Sequence, residues 1–256
     1  MNYKPILIVV GEPYSVFSEL LFKMFSKKNF KNKKNKIILI GSKKLIEAQM
    51  KKLKFKFSFN LINAKNLKLM KLSKKSINII DVNFKFKRSF EKISNKSNNY
   101  LNKSFETAIN LLKKNLSSCL INGPISKKNF LNKKFLGITE YLQKKSKVRN
   151  DTTMVIYNEK LSVSPLTTHL PLKNVAKNIT KNKIIYKSKQ INNFYKTKLK
   201  KKPNIAVLGL NPHCETVDKY SEEDRVIKPA INYLKKNNIS ISGPFSADTF
   251  FQKKNI

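Results

Sequence analysis

The stretch Cys119-Leu120-Ile121-Asn122-Gly123-Pro124-Ile125-Ser126-Lys127 decides how this chain is read. A short apolar run too brief for a helix is broken by a Gly-Pro pair. A hydroxyl residue and a lysine follow, which suits either a helix N-cap or an anion-holding turn. Strand, tight turn and helix together form the repeating step of an α/β protein. Ser162–Leu166 runs in the same way into Thr167-Thr168-His169-Leu170-Pro171, and Ile205–Leu210 into Asn211-Pro212-His213-Cys214-Glu215. The runs Ile6–Val10, Ile37–Ile40, Ile77–Val82 and Thr153–Tyr157 read as further strands, with helical patterns between them. The expectation is an α/β fold with a largely parallel sheet.

The clearest helix spans Tyr100 to Leu116, where Leu101, Phe105, Ala108, Ile109, Leu112 and Leu116 fall near three-and-four spacing. Another runs from Ser221, a suitable N-cap, through Glu222, Glu223 and Asp224 to Leu234; Pro229 lies inside it and predicts a kink. The polar stretches Lys28–Lys36 and Lys92–Asn99 read as surface loops. A weak break near Phe130–Gly137 divides the chain into a first α/β domain at 1–135 and a second at 136–256. Ile241–Phe245 reads as a strand, and Ala247-Asp248-Thr249-Phe250-Phe251 opens a new element just before Ile256. That pattern raises the expectation of a truncated chain.

Composition bounds the function. The 256 residues can form a substantial core, and a hydrophobic fraction of 40% with 17 Phe excludes general disorder. The net charge of +39 invites a nucleic-acid or anionic-membrane reading. Against it, only Arg88, Arg149 and Arg225 among 54 basic residues are arginines, and the lysines are spread along the whole chain. Base and phosphate recognition leans on the guanidinium fork, so the charge reads as a compositional bias of the surface, with no nucleic-acid partner expected. Cys119 and Cys214 form no disulfide framework or zinc ribbon, and Ile6–Val10 is too short for a signal core or a membrane span. A cytoplasmic protein without a membrane partner is expected.

The chain's two histidines, His169 and His213, each follow an expected strand and stand among polar neighbours. Imidazoles delivered to the carboxyl edge of a sheet can share a divalent metal, each oriented through its second nitrogen. A catalytic zinc site commonly takes three protein ligands. Cys214 adjoins His213 too closely in sequence to serve readily, Glu215 or Asp248 would need favourable geometry, and a donor beyond Ile256 or from a second subunit would also complete the set. The six glycines, at 11, 41, 123, 137, 209 and 243, make no G-x-G-x-x-G or P-loop spacing. The residues alone therefore reach a two-histidine site and no cofactor.

In order along the chain, NGPISK at Asn122–Lys127, GITEYL at Gly137–Leu142, TTHLPL at Thr167–Leu172, LGLNPHCE at Leu208–Glu215, EED with IKPAI at Glu222–Ile231, and GPFSADTFF at Gly243–Phe251 resemble the 4-hydroxythreonine-4-phosphate dehydrogenase family of vitamin B6 biosynthesis. The resemblance implies two α/β/α domains with a central cleft, like those of isocitrate and isopropylmalate dehydrogenases, which bind NAD without the glycine fingerprint. It implies a homodimer, His169 and His213 as ligands of a divalent metal (Zn, Mg or Co), and a third histidine ligand beyond Ile256. Thr139 matches a substrate contact, whereas the neighbouring substrate position, commonly histidine in the family, is Ile138 here. The family's GDPxGIGPE motif reads Gly11-Glu12-Pro13-Tyr14-Ser15-Val16-Phe17-Ser18-Glu19, keeping only Gly11, Pro13 and Glu19. The implied reaction is oxidation of 4-phosphooxy-L-threonine by NAD (or NADP) with decarboxylation to 3-amino-2-oxopropyl phosphate. The alternatives are an incompetent fragment of such an enzyme, or a basic nucleic-acid-binding protein whose affinity would fall steeply with salt.

Overall fold

A computed structural model describes residues 4–27, 30, 37–69, 71–132, 134–147, 152–214 and 221–252. Glu215, Arg149 and most of the Lys28–Lys36 loop lie outside the described residues. Contacts divide the chain into Met1–Asn150 and Asp151–Ile256.

The first unit is built on five parallel strands: β1 (Ile6–Val9), β2 (Ile37–Gly41), β3 (Phe59–Leu61), β4 (Ile77–Asp81) and β5 (Cys119–Asn122). Their order is β3-β4-β2-β1-β5, with Ile8 opposite both Leu39 and Ile121. Strands β1 and β2 are continuously apolar because both faces of the sheet are covered. Leu7, Val9, Ile38 and Ile40 join one core cluster with Leu101, Phe105 and Ala108 of helix α3 (Asn98–Lys113). Ile8, Val10 and Leu39 face the other way, onto Leu21 and Phe22 of α1 (Phe17–Ser26) and Ile46 of α2 (Lys43–Lys52). The hydroxyl of Ser42 caps α2 by accepting from Leu45 N.

Helix α3 ends three residues before the expected Leu116. Asn115 turns left-handed at φ 56°, and Leu116 N closes the turn on Leu111 O at 3.0 Å, so Leu116 keeps its apolar spacing but belongs to the cap. Helix α4 (Ile138–Ser146) belongs to this unit although the expected boundary separated them. Its Tyr141, 3% exposed, packs 4.9 Å from the Phe130 ring and donates its hydroxyl to Asn102 Oδ1 at 2.8 Å. The division accordingly falls after Asn150.

In the second unit β6 (Ile205–Leu208) and β7 (Ile241–Phe245) pair in parallel. Helices α5 (Lys181–Phe194) and α6 (Lys228–Lys236) pack against them through Ile184, Ala230, Ile231 and Leu234. The helix expected from Ser221 runs unbroken from Glu222 to Lys236, with a π segment, Glu223–Ile227, leading into α6. Ser221 Oγ still accepts from Asp224 N, at 3.2 Å. Pro229 stands directly behind the π segment, whose wider turn accommodates a residue without an N–H inside the continuous helix. The expected strands Thr153–Tyr157 and Ser162–Leu166 shrink to one antiparallel bridge, Ile156 with Val163. Among the described residues no further strand pairs with them, and Ile156 and Val163 stay 59% and 43% exposed.

Candidate functional site

In a doubly wound sheet the ligand crevice lies past the carboxyl ends of the strands where the strand order reverses. Here that point is between β1 and β5, and it is closed. Gly11, at φ 80°, lies so near the 123–124 turn that an added Cβ would stand 2.4 Å from Pro124 O, and Glu12 N donates to that same carbonyl at 2.8 Å. The Glu12 side chain is only 2% exposed. Its Oε1 accepts from Ser126 N at 3.1 Å and its Oε2 from the Ser97 hydroxyl at 2.9 Å. Burial raises the Glu12 pKa, while the Ser126 and Ser97 donors lower it. The turn that could have held an external anion is thus satisfied by the chain's own carboxylate. Ser126 acts as an N-cap, its Oγ accepting from Asn129 N at 3.0 Å, and Lys127 is exposed. The closed turn offers no glycine-lined phosphate cradle and does not fit the usual dinucleotide mode. Glu12 was missed in the sequence, since a buried carboxylate joining three distant segments has no local signature.

Thr139 is exposed in the first turn of α4. Ile138 beside it packs partly buried against the core, and its aliphatic side chain offers a substrate no hydrogen bond. These positions lie in the first unit and both histidines in the second.

His213 sits on a loop held from below. Glu223, 2% exposed, accepts through one carboxylate oxygen from Leu210 N and Asn211 N at 2.8 and 2.9 Å. Asn211 Oδ1 in turn accepts from His213 N at 3.2 Å. A Cβ on Gly209 would stand 2.3 Å from Cys214 Sγ, so any larger residue there would have to displace the thiol. Burial raises the Cys214 pKa, favouring a packed thiol over a thiolate ligand. The run Glu222-Glu223-Asp224 read as helix-start charge; its middle member is a buried brace.

The second loop departs from expectation. Because 162–166 is not a strand, His169 does not end one; it is exposed with φ 56°, and Lys187 of α5 steadies the approach by donating to Pro165 O and Leu166 O at 3.2 and 2.9 Å. His213 does follow β6 and presents its ring outward, 72% exposed, with Nδ1 3.3 Å from Asp248 Oδ2. The hydroxyl of Ser246 is the main influence lowering the Asp248 pKa, with His213 a smaller one. Imidazole donors suit a borderline divalent cation. Among the described residues no group of three His, Cys, Asp or Glu gathers within reach of one ion. By residue type the two imidazoles suit such an ion.

The family model described as pyridoxal phosphate biosynthetic protein PdxA matches residues 33–256 and so runs through both histidine loops. A 4-hydroxythreonine-4-phosphate dehydrogenase of Sulfurihydrogenibium sp. is 35% identical, covering 96% of this chain and 75% of its own length. That of Aquifex aeolicus is 33% identical, covering 97% and 76%. The crystal structure of the Klebsiella pneumoniae 4-hydroxythreonine-4-phosphate dehydrogenase superposes with a TM-score of 0.82 over 98% of this chain and 78% of that one; at 22% identity this speaks for the fold. Carried by a match along nearly the whole sequence, the chain belongs to the family of pyridoxal phosphate biosynthetic protein PdxA.

Proposed function

We propose that the protein oxidises the C3 hydroxyl of 4-phosphooxy-L-threonine with NAD, or NADP, as hydride acceptor. The resulting 3-oxo acid loses its carboxylate as carbon dioxide to give 3-amino-2-oxopropyl phosphate. The observation that carries this reading is the family match over residues 33–256.

His169 and His213 are the residues that would hold a divalent ion, Zn, Mg or Co. When bound, such an ion supplies Lewis acidity that eases loss of the hydroxyl proton and then withdraws electrons from the carbonyl during decarboxylation. Thr139 offers its exposed hydroxyl to the substrate, and Ile138 narrows that contact to one polar group. The net charge of +39 raises the local concentration of a phosphorylated, anionic substrate. Among the described residues no helix is long and apolar enough to cross a membrane, and the reading is of a cytoplasmic enzyme. A homodimer is supported by the exposed apolar side chains Met154, Ile156, Tyr157, Val163 and Leu172, gathered in one stretch of the second unit.

The test is reduction of NAD, followed by absorbance, with phosphorylated and unphosphorylated 4-hydroxythreonine and divalent metal present. Turnover confined to the phosphorylated compound and abolished by a chelator is expected. Equal turnover of both compounds, or none with either, contradicts the reading.

A further inference from the structure

Residues 162–166 run toward His169 without a sheet to lie in: among the described residues their main chain pairs only at Val163, with Ile156. Side chains do the holding instead. Tyr195 donates its hydroxyl to Ser162 Oγ at 2.9 Å, and Ser164 Oγ donates to Met154 O at 2.7 Å. Pro165 O and Leu166 O both accept from the Lys187 ammonium, at 3.2 and 2.9 Å. Lys187 is half-buried on α5, three residues after Ile184, which is 4% exposed and belongs to the core cluster against which Leu166 packs. The start of that helix is itself fixed, Thr180 Oγ1 accepting from Lys183 N at 3.3 Å. Three residues past Leu166 the chain turns left-handed at His169, φ 56°, a conformation that a residue with a Cβ keeps only where its surroundings fix the backbone.

From this geometry we infer that Lys187 is a positioning residue for His169: its ammonium takes the place of a neighbouring strand, ties the loop to α5 through two successive carbonyls, and so sets where the imidazole stands. An ammonium has three donors that turn about one bond, which lets it serve two carbonyls at once through charge-assisted hydrogen bonds. A protonated lysine has no lone pair to give a metal, so it serves the site only through the chain it holds. This role rests on the reading of His169 as a metal ligand.

Two measurements on the full chain keep the role apart from that reading. The first needs no metal: the backbone NMR signals of histidine-labelled protein, which come from two residues only and are assigned with His213→Ala. Lys187→Met keeps the aliphatic stem and removes the donor; it should move the His169 signals away from their left-handed values and leave those of His213 in place. Lys187→Arg, which still donates to carbonyls, should keep most of the wild-type pattern. Unmoved His169 signals in Lys187→Met overturn the inference, and equal shifts at both histidines overturn it too, by making the lysine a general packing residue. The second is cobalt(II) titration followed by calorimetry. Lys187→Met should weaken cobalt binding on the order of 10-fold, and Lys187→Arg should recover most of the loss. Binding as tight as the wild type's in Lys187→Met, where His169→Ala weakens it, overturns the positioning role. Cobalt binding unaffected by His169→Ala overturns the underlying reading instead.

Discussion

At the scale of single residues, Glu12 and Glu223 organise the loops at the carboxyl ends of the strands, each as a buried carboxylate turned onto backbone N–H groups. Replacing Glu12 by Ala strands the Ser126 N–H and should cost roughly 1–3 kcal/mol. Gln keeps the shape, accepting from Ser126 N and donating to Ser97 Oγ, and should cost less than Ala. Because burial raises the folded-state pKa of Glu12, the unfolded chain gives up that proton first as pH rises. The wild type should therefore be most favoured relative to Glu12→Gln at acid pH, and lose that advantage as pH climbs from the ordinary glutamate value through the raised one. Urea unfolding of both proteins at about pH 4 and about pH 7 measures this; a difference that stays constant or grows with pH counts against it. Neither carboxylate was legible in the sequence as a brace. A residue bonded to loops far along the chain shows its type and position but not its partners, whereas His213 announced itself by ending an apolar strand.

At the scale of elements, the strands buried on both faces were the most readable, because covered sheets demand continuous apolar runs: β1, β2 and β4 stand where the sequence put them, and so does the edge strand β5, whose short apolar run ends at a Gly-Pro turn although Cys119 and Ile121 are exposed. The three-residue β3 carries too little pattern to be seen, and 153–157 and 162–166 carry strand-like residues without a sheet to join. The helical reading of 221–234 had the right extent, and the irregularity expected at the proline takes the form of a π segment just before it. With Pro229 accommodated behind that segment, Pro229→Ala should change stability by less than about 1 kcal/mol, while Ile231→Pro, two residues on and 1% exposed, should cost about 3 kcal/mol or more. Thermal unfolding of the two variants separates the cases; a large loss in Pro229→Ala would mean that the ring holds the entry to α6 rather than being merely tolerated there.

At the scale of the whole molecule, the net charge of +39 and the exposed apolar stretch from Met154 to Leu172 are the two features of the surface. Charge of one sign opposes self-association, so a dimer must rest on apolar contact. Ile156→Asp should halve the mass seen by light scattering if that stretch joins two copies; a variant of unchanged dimeric mass would place the interface elsewhere. The central claim is that His169 and His213 serve a dehydrogenase, and the most direct measurement is kcat/KM for NAD reduction with 4-phosphooxy-L-threonine at saturating divalent metal, in the wild type and in His213→Ala. Loss of a metal ligand's whole contribution predicts a drop on the order of 10²-fold or more, or about 3 kcal/mol of transition-state stabilisation. A His213→Ala enzyme as fast as the wild type would contradict the account.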